Sequence, residues 1–341
     1  MANKVEKELR RLLLGWYEQN GRDLPWRVKG GAHPDPYVIL VSELMLQQTT
    51  VKTVIPYFYR FMERFPTIQA LAAASLDDVY CYWQGLGYYS RARSLHAAAK
   101  MIVHDFNGNF PQIRSEVLKL KGIGNYTASS FLALAFNRPE TVVDGNVIRI
   151  ICRMYHLSDP VVEIEKEIEK KAQALTDVVN PADYASAIMD LGAIVCTPKS
   201  PKCLICPWQK FCRSAGQSDV EKIPLRKKPE KKEKYGKVFL ISNQAGEILI
   251  RKRTEKGLLS GLYEFPWQEA AEVCCGATDT GIEVSHVFTH FKLVLRIYIW
   301  KTEETWYSGQ FVLPERMEDF AMSTLMKKVY AAGRRILDNK G

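Results

Sequence analysis

What this sequence lacks narrows it first. No stretch of its 341 residues approaches the ~20 consecutive apolar residues of a membrane-spanning helix. The opening residues lack the basic-then-apolar form of a secretory leader. Both absences point to the cytoplasm, with no membrane partner. Acidic excess is missing too: 47 Lys and Arg outnumber 38 Asp and Glu, for a formal net charge of +9. A basic balance suits a polyanionic partner, although many basic proteins bind none. The eight cysteines do not form an evenly spread disulfide framework. Cys81, Cys152, Cys274 and Cys275 are scattered, whereas Cys196, Cys203, Cys206 and Cys212 crowd into seventeen positions. In a reducing compartment such crowding reads as metal or cluster ligation.

The chain is long for one core, and its periodicity changes part-way. Through residue 215 apolar positions recur at helical spacing, as in Val5, Leu9, Leu12, Leu13 and Trp16. Helices are expected at 53–64, 71–83, 147–155, 164–179 and 183–196, with another opening at Pro36. Residues 213–237 are rich in Lys, Arg and Pro and read as an extended basic linker. Beyond them the period becomes two. A hairpin is expected at 237–253 and a strand at 286–300, before a closing helix at 323–337. The expected organisation is therefore an all-α domain over 1–215, a linker over 216–236 and an α+β domain over 237–341.

Four places carry chemistry. In Gly122-Ile123-Gly124 two glycines around one aliphatic residue permit a tight turn with positive φ at both. A helix starting near Thr127 would aim its free N–H groups at an anion such as a phosphate, unless this is a bare turn between core helices. Asp144 follows about one helix later, at the start of a further helix. Glu43 sits among Val, Leu and Met, where burial would raise its pKa and leave it ready to donate a proton. Gly85-Leu86-Gly87-Tyr88 precedes Arg91 and Arg93. Large apolar groups on such a turn suit a wedge into a base stack, or equally a staple under a surface helix. The cysteine spacing C-x6-C-x2-C-x5-C allows zinc or an iron–sulfur cluster, and a second C-x2-4-C knuckle typical of structural zinc is missing. Lys199, Lys202, Lys210 and Arg213 surround it.

Together these features resemble the endonuclease III superfamily of DNA glycosylases, and most fully its MutY-type adenine glycosylase family. The resemblance rests on Leu24-Pro25-Trp26-Arg27, Ser42-Glu43 through Gln47-Gln48-Thr49, Gly85 through Tyr89, Val143-Asp144-Gly145-Asn146-Val147 and Met189-Asp190-Leu191-Gly192-Ala193. It implies a helix–hairpin–helix glycosylase domain with a [4Fe–4S] loop, followed by a MutT-like (Nudix-fold) domain. The substrate it implies is adenine opposite 8-oxoguanine or guanine in duplex DNA, removed in base excision repair by a monomer. Glu43 would be the general acid, and Asp144 the stabiliser of the sugar cation, helped by Asn146. Tyr126 stands where bifunctional relatives have a Schiff-base lysine, which implies no strand cleavage. DNA and base contacts carry over to Arg22, Trp26, Arg27, Leu46, Gln48, Thr49, Leu86, Tyr88, Gly122 and Gly124. Ser186 stands where the family has Gln or Glu against the adenine edge. Phe288-Thr289-His290 matches the Phe-Ser-His that inspects 8-oxoguanine. The C-terminal domain lacks the Arg-Glu-x-x-Glu-Glu helix that binds Mg²⁺, so it reads as a recognition module. The rival readings are a bifunctional glycosylase/lyase on damaged pyrimidines and a Nudix-type nucleotide pyrophosphatase.

Overall fold

The computed structural model describes residues 4–28, 34–225, 232–255, 257–269, 276–302 and 308–338. The chain separates into two compact units. One comprises residues 1–72 and 97–227, the other residues 73–96 and 228–341. Among the described residues no helix is long and apolar enough to cross a membrane.

The first unit is helical. Helix α1 (Lys4–Asn20) buries Leu9, Leu13 and Tyr17, the expected stripe. Helix α2 (Pro36–Leu46) opens as Pro36 invites, and the Asp35 side chain accepts a hydrogen bond from the Tyr37 amide. It is apolar on every side and therefore belongs wholly to the core. Helix α3 (Val51–Arg64) follows, capped by Thr50. The expected helix over 71–83 is two pieces, α4 (Ile68–Ala73) and α5 (Leu76–Trp83), and α5 belongs to the second unit. Ser75 breaks them apart because its hydroxyl caps the Asp78 amide. Helix α6 (Ser90–Asp105) and a short α7 (Arg114–Val117) lead to the hairpin.

Helix α8 (Asn125–Phe136) starts two residues before the expected Thr127, with Gly124 as its cap. Helices α9 (Gly145–Tyr155), α10 (Val161–Leu175) and α11 (Pro181–Asp190) complete the bundle. The helix expected to run on to Cys196 widens at Leu191–Val195 into a π-helical turn. Most of α9 and α11 pack with α1 in one core that includes Ile150, Ile151, Ile188 and Trp208.

The basic stretch over 216–236 differs from a free linker wherever it is described. Ile223 is buried in the helical core, and Leu225 pairs with Pro160. From Lys232 the chain is already strand β1 (Lys232–Ser242). An aliphatic residue and a bridging backbone anchor what charge counting had freed. Residues 226–231 lie outside the described residues.

The second unit is built on a mixed sheet. Strand β1 turns back into β2 (Ile248–Lys252), the expected hairpin. Short strands β3 (Tyr263–Glu264) and β4 (Trp267–Glu269) pair with β2 and β1, and β7 (Gln310–Val312) with β2. The single strand expected over 286–300 is a hairpin instead. Strand β5 (Thr278–Val287) ends just inside that range, and β6 (Phe291–Lys301) pairs antiparallel with β5 and parallel with β1. Residues 288–290 form the turn, where alternation alone could not show a break. Helix α12 (Thr324–Asp338) closes the sheet face, burying Leu325, Met326 and Val329.

Candidate active site

Glu43 goes into the core with its helix and is 6 % exposed. Burial pushes its carboxyl up to about 7; the Ser130 hydroxyl pulls it down, the Asp144 charge raises it and Arg27 lowers it. At neutral pH such a carboxyl is substantially protonated.

Asp144 is held by hydrogen bonds instead. It caps α9, and its Oδ1 accepts from the amides of Asn146 (2.8 Å) and Val147 (2.7 Å). Its Oδ2 accepts from Asn146 Nδ2 at 2.7 Å. Three converging N–H donors and a helix N-terminus stabilise negative charge there and fix the carboxylate's orientation. Tyr126, in the first turn of α8, has its phenol raised well above its ordinary value by burial and then by Glu43 and Asp144. It is a neutral hydroxyl that reaches Met189 Sδ at 3.9 Å.

Glu43, Tyr126, Asp144, Asn146 and Ser186 all line one cavity of about 780 Å³ in the first unit. That volume lies in the range of ligand pockets. Two carboxyls in contrasting environments, facing the same space, are the arrangement used to break glycosidic bonds.

Arg22, Trp26, Arg27, Leu46 and Thr49 line the cavity as well. The arginines are occupied, however. Arg22 Nη2 lies 2.6 Å and Arg27 Nη1 2.8 Å from the fully buried carboxylate of Asp190. Burial alone would push Asp190 up, but the hydrogen bonds and charges of Arg27 and Arg22 hold it below its ordinary value. Trp26 is 3 % exposed and packs edge-on against Phe58 at 5.3 Å. These three residues build the cavity wall. Gln48 is exposed and stands outside the cavity lining, with φ 59.

Only one of the hairpin glycines needs the left-handed region. Gly122 has φ 79, whereas Gly124 is extended, with φ −95 and ψ −178. At Gly124 neither the backbone nor the space around it demands glycine. An added β-carbon would meet nothing within 4 Å, and no side chain caps α8. Its first-turn amides therefore open toward whatever approaches.

In the second unit Tyr88 is exposed, and its hydroxyl is 3.2 Å from Thr289 Oγ1. Phe288, Thr289, His290 and Tyr88 border a cavity of about 420 Å³. Leu86, read as a wedge or equally as a staple under a surface helix, is 5 % exposed, the burial of a staple. Gly85 (φ 106) and Gly87 (φ 71) fold the turn so that Leu86 is buried and Tyr88 is displayed. The lack of a Glu-rich helix was read partly at residues 270–272, which lie outside the described residues, as do Cys274 and Cys275.

The four clustered cysteines come from one loop of short turns. Burial pushes the Cys206 thiol up to about 12 and raises Cys212, and the neighbouring cysteines add to both shifts. Four soft sulfur donors so disposed fit a group that neutralises them. Arg153 Nη1 approaches Cys196 Sγ at 3.6 Å, and Lys199, Lys202 and Lys210 are exposed around the loop. Among the described residues no three His, Cys, Asp or Glu side chains close around a single ion.

Sequence reading passed over Arg149. Its Nη2 donates to Asn146 Oδ1 (2.9 Å) and Gly192 O (2.7 Å), and its Nε to Cys196 O (2.7 Å). It ties the Asp144 cap to the cysteine loop. Asp190 was quoted without a role, although a carboxylate between Met189 and Leu191 carries the same signal as Glu43.

Comparison with known proteins shows the family. Residues 41–176 match the HhH-GPD superfamily base excision DNA repair protein family. Residues 196–212 match the iron–sulfur binding domain of endonuclease III, and residues 237–332 a NUDIX domain. The adenine DNA glycosylase of Rattus norvegicus is 35% identical, covering 94% of this chain and 77% of the relative. That of Buchnera aphidicola subsp. Schizaphis graminum is 40% identical, covering 83% of this chain and 84% of the relative.

The chain belongs to the adenine DNA glycosylase family. In it a helix–hairpin–helix domain with an iron–sulfur binding loop precedes a Nudix-fold domain. The helical scaffold extends beyond adenine DNA glycosylases. The structure of a thermostable thymine-DNA glycosylase superposes with a TM-score of 0.56 at 28% identity, covering 62% of this chain and 97% of that one. Scaffold alone therefore does not choose the base.

Proposed function

We propose that this adenine DNA glycosylase family member releases adenine from duplex DNA in which it is mispaired with 8-oxoguanine or guanine. It acts as a monomer on chromosomal DNA in the cytoplasm, the nucleoid of a bacterial cell. The observation that carries the reading is the pairing of Glu43 and Asp144 on one cavity, the first raised by burial and the second held by three N–H donors.

An adenine inside the helix cannot reach these groups, so it is first extruded into the cavity. Glu43 donates its proton to N7, making the base a neutral leaving group as the bond from C1′ to N9 breaks. The bonding electrons leave with adenine, and the sugar becomes an oxocarbenium-like cation. The Asp144 carboxylate stabilises that cation, directly or as a covalent adduct, until water completes C1′. Asn146 holds Asp144 in place, and Tyr126 offers a neutral hydroxyl beside both carboxyls. Ser186, on the same wall, has a hydroxyl for the adenine edge, directly or through water. Gly122 and Gly124 bring phosphate to the α8 amides. Tyr88, Phe288, Thr289 and His290 read the base opposite adenine.

Cys196, Cys203, Cys206 and Cys212 would hold a [4Fe–4S] cluster, whose iron neutralises four thiolates and fixes the loop that carries the exposed lysines.

Single-turnover excision on duplexes carrying A, G, C or T opposite 8-oxoguanine tests the reading. Adenine alone should be released, and borohydride should trap no covalent enzyme–DNA adduct. Faster release of a pyrimidine, or efficient trapping, would instead identify the bifunctional rival.

A further inference from the structure

Residues 73–96 group with the Nudix-fold domain and not with the helices that flank them in sequence. The reason is one stripe of side chains. Asp77, Tyr80, Cys81 and Gln84 fall at i, i+3, i+4 and i+7, and therefore on one face of α5 and its continuation. Each meets the C-terminal part of the same unit. Lys252 Nζ lies 2.5 Å from Asp77 Oδ1. The Tyr80 ring fills the space that a β-carbon on Gly261 would need, 2.9 Å away, and Gly261 has φ +85. Cys81 Sγ donates to Asp319 O at 3.8 Å. Gln84 Nε2 donates to Met322 O at 3.2 Å, and the same carbonyl accepts from Tyr89 at 3.3 Å. Tyr88, next to Tyr89, then meets Thr289.

We propose that this stripe is a specificity-determining seat, which holds Tyr88 in register with Thr289 so that 8-oxoguanine and guanine opposite adenine are told apart. The inference rests on the function proposed above. Asp77, Tyr80, Cys81 and Gln84 are positioning residues that act through Tyr88. None lines the cavity that holds Glu43 and Asp144. An error in the seat therefore changes preference and leaves the chemistry alone. The Lys252–Asp77 pair is exposed and adds little to folding, which makes it the cleanest handle.

The test is charge reversal: Asp77→Lys, Lys252→Asp and the double variant. Each is assayed for single-turnover adenine release opposite 8-oxoguanine and opposite guanine. Each is also assayed for affinity to the two duplexes carrying a non-hydrolysable adenine analogue. Each single reversal should lower the 8-oxoguanine preference roughly 5-fold or more, since misplacement of a contact is costly even far from the chemistry. Release opposite guanine should stay near the wild-type rate, and the double variant should restore the ratio. Gly261→Ala, which displaces Tyr80, should act in the same direction, with thermal unfolding used to exclude loss of the domain. Unchanged preference in both single reversals, or an equal fall on both duplexes, overturns the seat. A wild-type chain that prefers the 8-oxoguanine duplex in binding but releases no adenine would overturn the proposed function, and the binding ratios would still test the seat.

Discussion

A β-carbon on Gly192 would lie 2.5 Å from Cβ of Asn146. Real atoms do not approach so closely, so only glycine lets the π-helical turn after α11 press against the first turn of α9. Asn146 is the residue whose side chain and amide hold Asp144. Gly192→Ala should therefore shift Asn146 and Asp144 together. Single-turnover release should fall ~100-fold, the scale of a 1 Å misplacement. Circular dichroism should show the helices intact. Wild-type release in this variant would mean that the cap's position is not limiting.

The pH dependence follows from Glu43. With its carboxyl near 7 in the folded protein, release should decline as pH rises through about 7, because the acid is then consumed. Stability runs the same way. A carboxyl raised from 4.5 binds its proton more tightly folded than unfolded, so stability drops between about 4.5 and 7 and the cost persists above. Glu43→Gln should remove that cost, gaining up to about 3 kcal/mol above pH 7 and nothing below pH 4.5. Denaturant unfolding of both proteins at a series of pH values measures the difference.

Asp190 behaves in reverse. Its carboxylate is held below its ordinary value, so it stabilises the fold above about 3.8 and that contribution disappears as acid protonates it. Asp190→Asn would leave Arg22 and Arg27 facing each other with no anion between them. Loss of one partner from a buried pair costs about 3–5 kcal/mol. A urea midpoint within error of wild type would show that water or another group compensates.

The two carboxyls proposed for catalysis stand out in the sequence for physical reasons. Glu43 announces itself because a charge inside an unbroken apolar helix demands an explanation. Asp144 does so as an acid at a helix start, with Gly145-Asn146 behind it. The bundle and the β1–β2 hairpin were readable from their periods. The turn at 288–290 was not, because alternation continues on both sides of it. Leu86 stayed undecided between wedge and staple because a turn's direction depends on the positive φ of Gly85 and Gly87, and spacing carries no such information. The seat of residues 73–96 on the Nudix-fold domain was invisible, since contact across more than 150 positions leaves no local trace.

Arg149 gives a prediction that links two sites. Arg149→Met keeps the side chain's length but removes the donors to Asn146, Gly192 and Cys196. Each orphaned buried acceptor costs about 1–3 kcal/mol. The variant should lose adenine release, melt at a lower temperature and shed iron faster to a chelator. Normal iron retention together with lost release would confine Arg149 to the Asp144 cap.

The proposed chemistry depends on Glu43 delivering a proton that glutamine cannot. Adenine release from an 8-oxoguanine duplex, measured with enzyme in excess for wild type and Glu43→Gln, tests this most directly. The account predicts that the variant binds the duplex within a few-fold of wild type while release slows by ~10³-fold, the range of general acid catalysis. Release within ~3-fold of wild type, at equal binding, would contradict it and remove Glu43 from the reaction.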